Sequence, residues 1–220
     1  MHEAQNKPFE RYPGYDLMQK RFSPSWNIQT RRVIERRLAT SDAPLFFTPD
    51  QFETVRALAA RIVPQPCDGA LIPVAALVDR KLHEGVSDGY RVSSMPRERE
   101  AWRLGLEAID AEARRACGTH FAGLVENEQD ALLRRMENGE LGGPEWGSMK
   151  SRDFFRKRLA HDIVLAYYAH PAAWNEIGWG GPASPRGYVR LGFNDRDPWE
   201  AAEAKTDHDA SARRINRNVR

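Results

Sequence analysis

The sequence predicts an all-α fold, a compact bundle of about five helices with an extended N-terminal arm and a long aromatic C-terminal loop. Three observations carry this. Apolar residues recur at three- and four-residue steps through successive segments between residues 45 and 170. Helix-capping or helix-stopping residues bound those segments. No stretch alternates apolar and polar residues long enough to build a sheet, and no internal repeat is visible.

At 220 residues, the default is one domain with tails. The boundaries drawn here are an arm and basic helix over 1–44, a helical domain over 45–199 and a polar tail over 200–220. Hydrophobic residues make up 41% and charged residues 29%, an ordinary globular composition. A net charge of +2 gives nucleic-acid binding no whole-chain support. The basic runs Arg31–Arg37 and ARRINRNVR at the C-terminus read as solvated faces. No apolar run approaches the roughly 20 residues of a membrane span.

The opening residues MHEAQNKPFERYPGYD lack the apolar core of a secretory signal. Arg31-Arg32 and Arg36-Arg37 look like twin-arginine pairs, but the following LATSDAPLFF is too short and broken to serve as the apolar region of such a signal. No signal peptide is expected in this chain.

Residues 1–25 are aperiodic and read as an extended arm. Phe9, Tyr12, Tyr15, Phe22 and Trp26 give it aromatic surface to pack on its own domain or on a partner. Asn27–Ala39 suits a basic helix with Ile28, Val33, Ile34 and Leu38 as thinly spaced apolar positions. The next helix starts at Thr48, an N-cap, with Pro49 at the first position and Gln51 completing a capping box. Phe47 and Phe52 are placed as a hydrophobic staple. Phe52, Val55, Leu58 and Ile62 form its stripe, and Pro64 stops it.

Pro73 opens a helix with Val74, Leu77, Val78 and Leu82 inward, closed by Gly85. Ser93 or Ser94 caps a third, whose stripe is Trp102, Leu106, Ile109, Ala113 and Cys117, with Gly118 as its end. This puts Cys117 on the core-facing side. Whether Cys67 and Cys117 are free thiols or a disulfide in an oxidising compartment is left open by spacing alone. A fourth helix spans about Asn127–Asn138, with Leu132, Leu133 and Met136 inward. The fifth runs from Ser148 to Ala169, with Phe155, Leu159, Ile163 and Ala166 in one line and Phe154 and Tyr167 widening it. His170-Pro171 ends it, because a residue before proline is driven out of the α region. The tail from Ala201 reads as polar and frayed.

Catalytic chemistry needs converging titratable groups, and the chain offers few. His161 and His170 are nine residues apart, about 900° around a helix, so they face opposite sides. There is no HExxH and no GxSxG. Gly178-Trp179-Gly180-Gly181 follows no strand and opens no helix, so it makes a poor phosphate cradle. A free-standing helical hydrolase or metal enzyme using His161, His170 and Glu176 is the rival reading.

What stands out is Tyr167–Trp199, which holds Trp174, Trp179 and Trp199 among prolines and glycines. It either packs over the open end of the bundle or presents a protein-binding surface. Trp, Tyr and Arg are the residue types most often found as interface anchors.

Tyr168-Ala169-His170-Pro171, Ala173-Trp174-Asn175-Glu176-Ile177-Gly178, Gly180-Gly181-Pro182 and Pro185-Arg186-Gly187-Tyr188 together resemble the C-terminal signature of gluconate 2-dehydrogenase subunit 3. Phe47-Thr48-Pro49-Asp50-Gln51 running to Ile62-Val63-Pro64 is similar to the family's N-terminal helix. The likeness covers roughly Leu45 to Trp199.

It implies a small, non-catalytic helical subunit with no cofactor of its own. Its implied partner is a large FAD-binding dehydrogenase of the glucose–methanol–choline type, which oxidises a sugar, sugar acid or glycoside. A cytochrome c subunit often completes such complexes. On this reading Tyr168, His170, Pro171, Trp174, Trp179, Arg186 and Tyr188 make or support the partner interface. Many family members begin with a twin-arginine signal, and here an aromatic arm stands in its place. The implied complex is therefore either periplasmic, exported by its partner, or cytoplasmic.

Overall fold

A computed structural model describes residues 10–66, 71–87, 89, 93–183, 199–205 and 209–218. The fold is all-α, with no strand among those residues. In chain order the helices are α1 (Ile28–Leu38), α2 (Pro49–Ile62), α3 (Val74–Glu84), α4 (Glu98–Cys117), α5 (Glu126–Asn138), α6 (Ser151–Phe154), α7 (Ala160–Ala169), α8 (Pro171–Glu176) and α9 (Asp209–Asn216). The chain divides into two compact units. One is Thr40–Tyr167; the other joins Met1–Ala39 to Tyr168–Arg220. These boundaries differ from those drawn on composition, because the arm packs with the C-terminal segments.

In the unit Thr40–Tyr167, α2 begins as its sequence requires. Thr48 accepts from the Gln51 N–H at 3.2 Å, and the Gln51 side chain accepts from the Thr48 N–H, so two orphan donors are satisfied reciprocally. Phe47 and Phe52 are both buried. The three residues leading into α2 are fixed by Asp79 on α3, whose buried carboxylate accepts the N–H groups of Leu45, Phe46 and Phe47 at 2.7–3.1 Å. A row of rings, Phe47, Trp102, Phe154 and Trp146, runs through the core with centroids 5.7–6.0 Å apart at tilted or edge-on angles. Gly105 on α4 is needed here: a Cβ would lie 2.2 Å from the Phe154 ring.

Three local expectations are corrected. Helix α4 starts at Glu98 rather than after Ser93 or Ser94, and its N-cap Arg97 makes no side-chain capping bond. A residue before proline is driven out of the α region, so Pro96 delays the helix, while Ser94 donates to Asp153 at 3.1 Å. Cys117 is an exposed free thiol, not a core residue. Arg114, Arg115, Ala116 and Cys117 are all exposed, so this last turn outruns the layer that α4 packs on. Cys67 lies outside the described residues.

The third correction concerns the last long helix. A π-helical stretch, Phe155–Leu159, joins α6 to α7. Its wider turn shifts the phase of the buried face. Phe154, five residues before Leu159, is therefore fully buried, and Phe155 is only half-buried.

The same stretch buries charge. Asp162 accepts the indole N–H of Trp102 at 2.8 Å and pairs with Lys81 at 3.3 Å and Arg158 at 3.5 Å. Glu98 closes the network, 2.8 Å from Lys81 and 3.1 Å from Arg158. Arg61 links α2 to α5 through a two-pronged bond to Asp130, at 2.8 and 2.9 Å.

In the other unit, the arm contains a 3₁₀ turn, Leu17–Lys20, started by Asp16 accepting the Met18 N–H. Its core is Tyr15, Leu17, Trp26, Ile34, Trp174 and Trp199. Lys20 is fully buried within it. The ammonium lies 5.8 Å from the Trp26 ring and 5.5 Å from the Trp199 ring, and donates to the Gly180 carbonyl.

The frayed-tail expectation is also corrected. Asn216 on α9 is fully buried; it accepts the Ala202 N–H at 2.6 Å and donates to the carbonyls of Ala202 and Pro13 at 2.9 and 3.1 Å. One buried amide thus ties arm, segment 199–205 and tail helix together, a bond that no periodicity reveals.

Candidate partner-binding surface

The candidate surface is built on α8. His170 is its N-cap, with extended backbone, and Nδ1 accepts the Ala172 N–H at 3.3 Å. Pro171 occupies the first helical position, where no N–H is needed. The proline that ends α7 therefore also starts α8, so the predicted loop opens with a helical turn and a half. Asn175 accepts the Leu17 N–H at 2.9 Å, fastening α8 to the arm. Arg37 on α1 donates to the Ala169 carbonyl at 2.9 Å, satisfying one orphan acceptor at the end of α7.

Beyond α8, the glycine run serves packing. Gly178 has φ +65° and Gly181 φ +67°, the left-handed region. A Cβ on Gly178 would lie 2.5 Å from the Tyr12 ring, and one on Gly181 would lie 2.7 Å from Leu17. These glycines let the arm close onto the segment, which accounts for them without any bound phosphate.

The structure sorts the anchor residues into two sets. Trp174, Pro171 and His170 are buried. Trp174 Nε1 donates to the Tyr168 carbonyl at 2.6 Å, and its ring meets Trp179 edge-on at 4.7 Å and 86°. Tyr168 and Trp179 are 43% and 41% exposed. Ile177, which the sequence reading passed over, is 46% exposed beside them in sequence. Its signal was available: an isoleucine after the buried Trp174 and before a glycine turn, at a position the short helix turns outward. Arg186 and Tyr188 lie outside the described residues. Buried Trp174 thus braces Trp179 and the Tyr168 backbone, and the exposed residues of this segment, Tyr168, Ile177 and Trp179, are apolar or aromatic. Exposed large apolar groups held rigidly are a mark of interaction sites.

The two histidines of the rival reading sit in different settings. His161 is half-buried, 3.3 Å from the Asp162 carboxylate. His170 is not on α7 at all and commits Nδ1 to its cap. No group of three His, Cys, Asp or Glu able to hold a metal occurs among the described residues, and no helix there is long and apolar enough to cross a membrane.

The family model for gluconate 2-dehydrogenase subunit 3 matches residues 49–181. The chain belongs to that family. The matched stretch runs from the first residue of α2 through α8 to the glycine turn, so it contains Tyr168, Ile177 and Trp179. The arm, the segment 199–205 and α9 lie outside it. No curated protein and no solved structure matches the chain.

The subunit should respond to pH through His170. Burial, with Arg37 adding a smaller repulsion, holds its imidazole pKa below the ordinary value of 6.5. Protonation also removes the lone pair that accepts from Ala172. The unfolded chain therefore binds the proton more readily. The stabilisation is complete above pH 6.5 and falls away as pH drops toward the folded-state value. Urea unfolding between about pH 7.5 and pH 5 should show this loss in the wild type. His170→Asn, which keeps a capping acceptor without a titrating ring, should show a shallower slope. Equal slopes would remove His170 from the account.

Proposed function

We propose that this chain is the non-catalytic small subunit of a dehydrogenase complex, binding and stabilising a large FAD-dependent subunit of the glucose–methanol–choline type. The observation that carries the reading is the exposure of Tyr168, Ile177 and Trp179 about the buried Trp174, which packs on Trp179, inside the stretch matched to the family. The substrate is a sugar, sugar acid or glycoside hydroxyl. The partner's flavin takes up the hydride, and a cytochrome c subunit passes the electrons on. This chain supplies surface: apolar rings that the partner covers and a rigid segment ordered before contact. Preorganised anchors lower the entropy lost on association. The complex operates in the periplasm, carried there by its partner, or in the cytoplasm.

Co-expression of the flavoprotein with and without this chain tests the proposal. Soluble, FAD-loaded flavoprotein and dye-linked dehydrogenase activity should rise together when the chain is present. Equal yield and activity without it would overturn the role. Fractionation of the co-expressing cells assigns the compartment.

A further inference from the structure

We propose that a second contact exists in the unit Thr40–Tyr167: a basic cleft between the end of α3 and the start of α4 that takes an acidic, carboxylate-bearing peptide segment of a partner protein. The cleft has a volume of about 770 Å³. Five cations line it, Lys81, Arg97, Arg99, Arg103 and Arg158, against the carboxylates of Glu98 and Glu100. Lys81 and Arg158 are already neutralised by Glu98 and Asp162. Arg99 is held in place by the carbonyls of Leu82 and His83, each at 2.5 Å, and no carboxylate among the described residues pairs with it. Arg103 lies over the Phe46 ring at 4.5 Å. Neither Arg97 nor Arg103 pairs with a carboxylate among the described residues, and both are exposed.

Guanidinium groups such as those of Arg99 and Arg103, held in place without a carboxylate partner among the described residues, suit carboxylates, which they bind in a two-pronged geometry. The walls between them are apolar, from Leu82, Val86, Pro96 and Leu104. Mixed charge and apolar lining fits a peptide carrying acidic and aliphatic side chains. It fits a nucleic-acid backbone less well, because Glu98 and Glu100 would repel a continuous row of phosphates. The identity of the partner as a dehydrogenase subunit rests on the proposed function, but the chemistry of the cleft does not.

The test is fluorescence anisotropy of a labelled peptide of alternating Glu and Leu, titrated with the full chain. The wild type should bind it, and a Lys-Leu peptide should not bind. Arg97→Glu with Arg103→Glu should weaken binding at least about tenfold. Arg32→Glu with Arg36→Glu, on the exposed basic face of α1, should leave it unchanged, as should Trp179→Ala. Circular dichroism confirms that each variant is folded. Unaltered binding by the Arg97/Arg103 variant, or an equal loss in the α1 variant, would overturn the cleft. Displacement by glutarate, inorganic phosphate or duplex DNA at the peptide's own concentration would overturn the peptide assignment. A failure of Trp179 variants to affect complex assembly would strike the proposed function and leave this result standing.

Discussion

Asp162→Ala should destabilise the protein by about 3–5 kcal/mol, the cost of stripping a partner from a buried ion pair. The carboxylate is almost wholly buried and serves Trp102, Lys81 and Arg158 together. Its removal leaves the Trp102 N–H without an acceptor in the core. It also takes one carboxylate from Arg158, itself buried, which keeps its pair with Glu98. A domain has only about 5–15 kcal/mol to lose, so the variant is expected to unfold at low urea. Asp162→Asn should be milder, because an amide oxygen can still accept from the indole while the charge is lost. Urea midpoints for the two variants test this. A loss in Asp162→Ala below about 1 kcal/mol, the range of exposed pairs, would show the network to be dispensable.

Trp174→Ala should be of comparable size, about 3–5 kcal/mol, from lost burial and the cavity left behind. Trp174 shares its core with Tyr15, Leu17, Trp26, Ile34 and Trp199, contributed by the arm and the segment after the loop. The substitution therefore removes a large member of a core drawn from the arm, α1 and the segment that begins at Trp199. It also removes the ring that braces Trp179 and the bond to the Tyr168 carbonyl. Trp174→Phe keeps a ring but not the N–H, and should cost less. Tryptophan fluorescence with thermal unfolding follows both. An alanine variant with an unchanged midpoint would contradict the placement of Trp174 in the core.

The sequence made the helices between Pro49 and Ala169 legible wherever local rules governed. Thr48, Pro49 and Gln51 announced α2, and Gly85, Gly118 and Gly139 ended three helices in left-handed geometry. The departures came where a distant contact or a change of phase decided. A π turn took Phe155 out of the fully buried line and left Phe154, read as its edge, at the centre. Helix α4 extended one turn beyond its core, leaving Cys117 outside. Lys20 and Asn216 were unreadable, because a buried lysine is unexpected until two tryptophans and a carbonyl surround it. The residues of the candidate surface were legible as a cluster, but their burial was not. Trp174 and Trp179 look alike in sequence, and only packing shows one as support and the other as surface.

Affinity between the wild-type or variant chain and the proposed large flavoprotein subunit is the most direct measurement of the central claim. Trp179→Ala combined with Tyr168→Ala, verified as folded, should weaken binding at least about tenfold, or ~1.4 kcal/mol. Binding within twofold of wild type would contradict the claim that this aromatic face is where the partner docks.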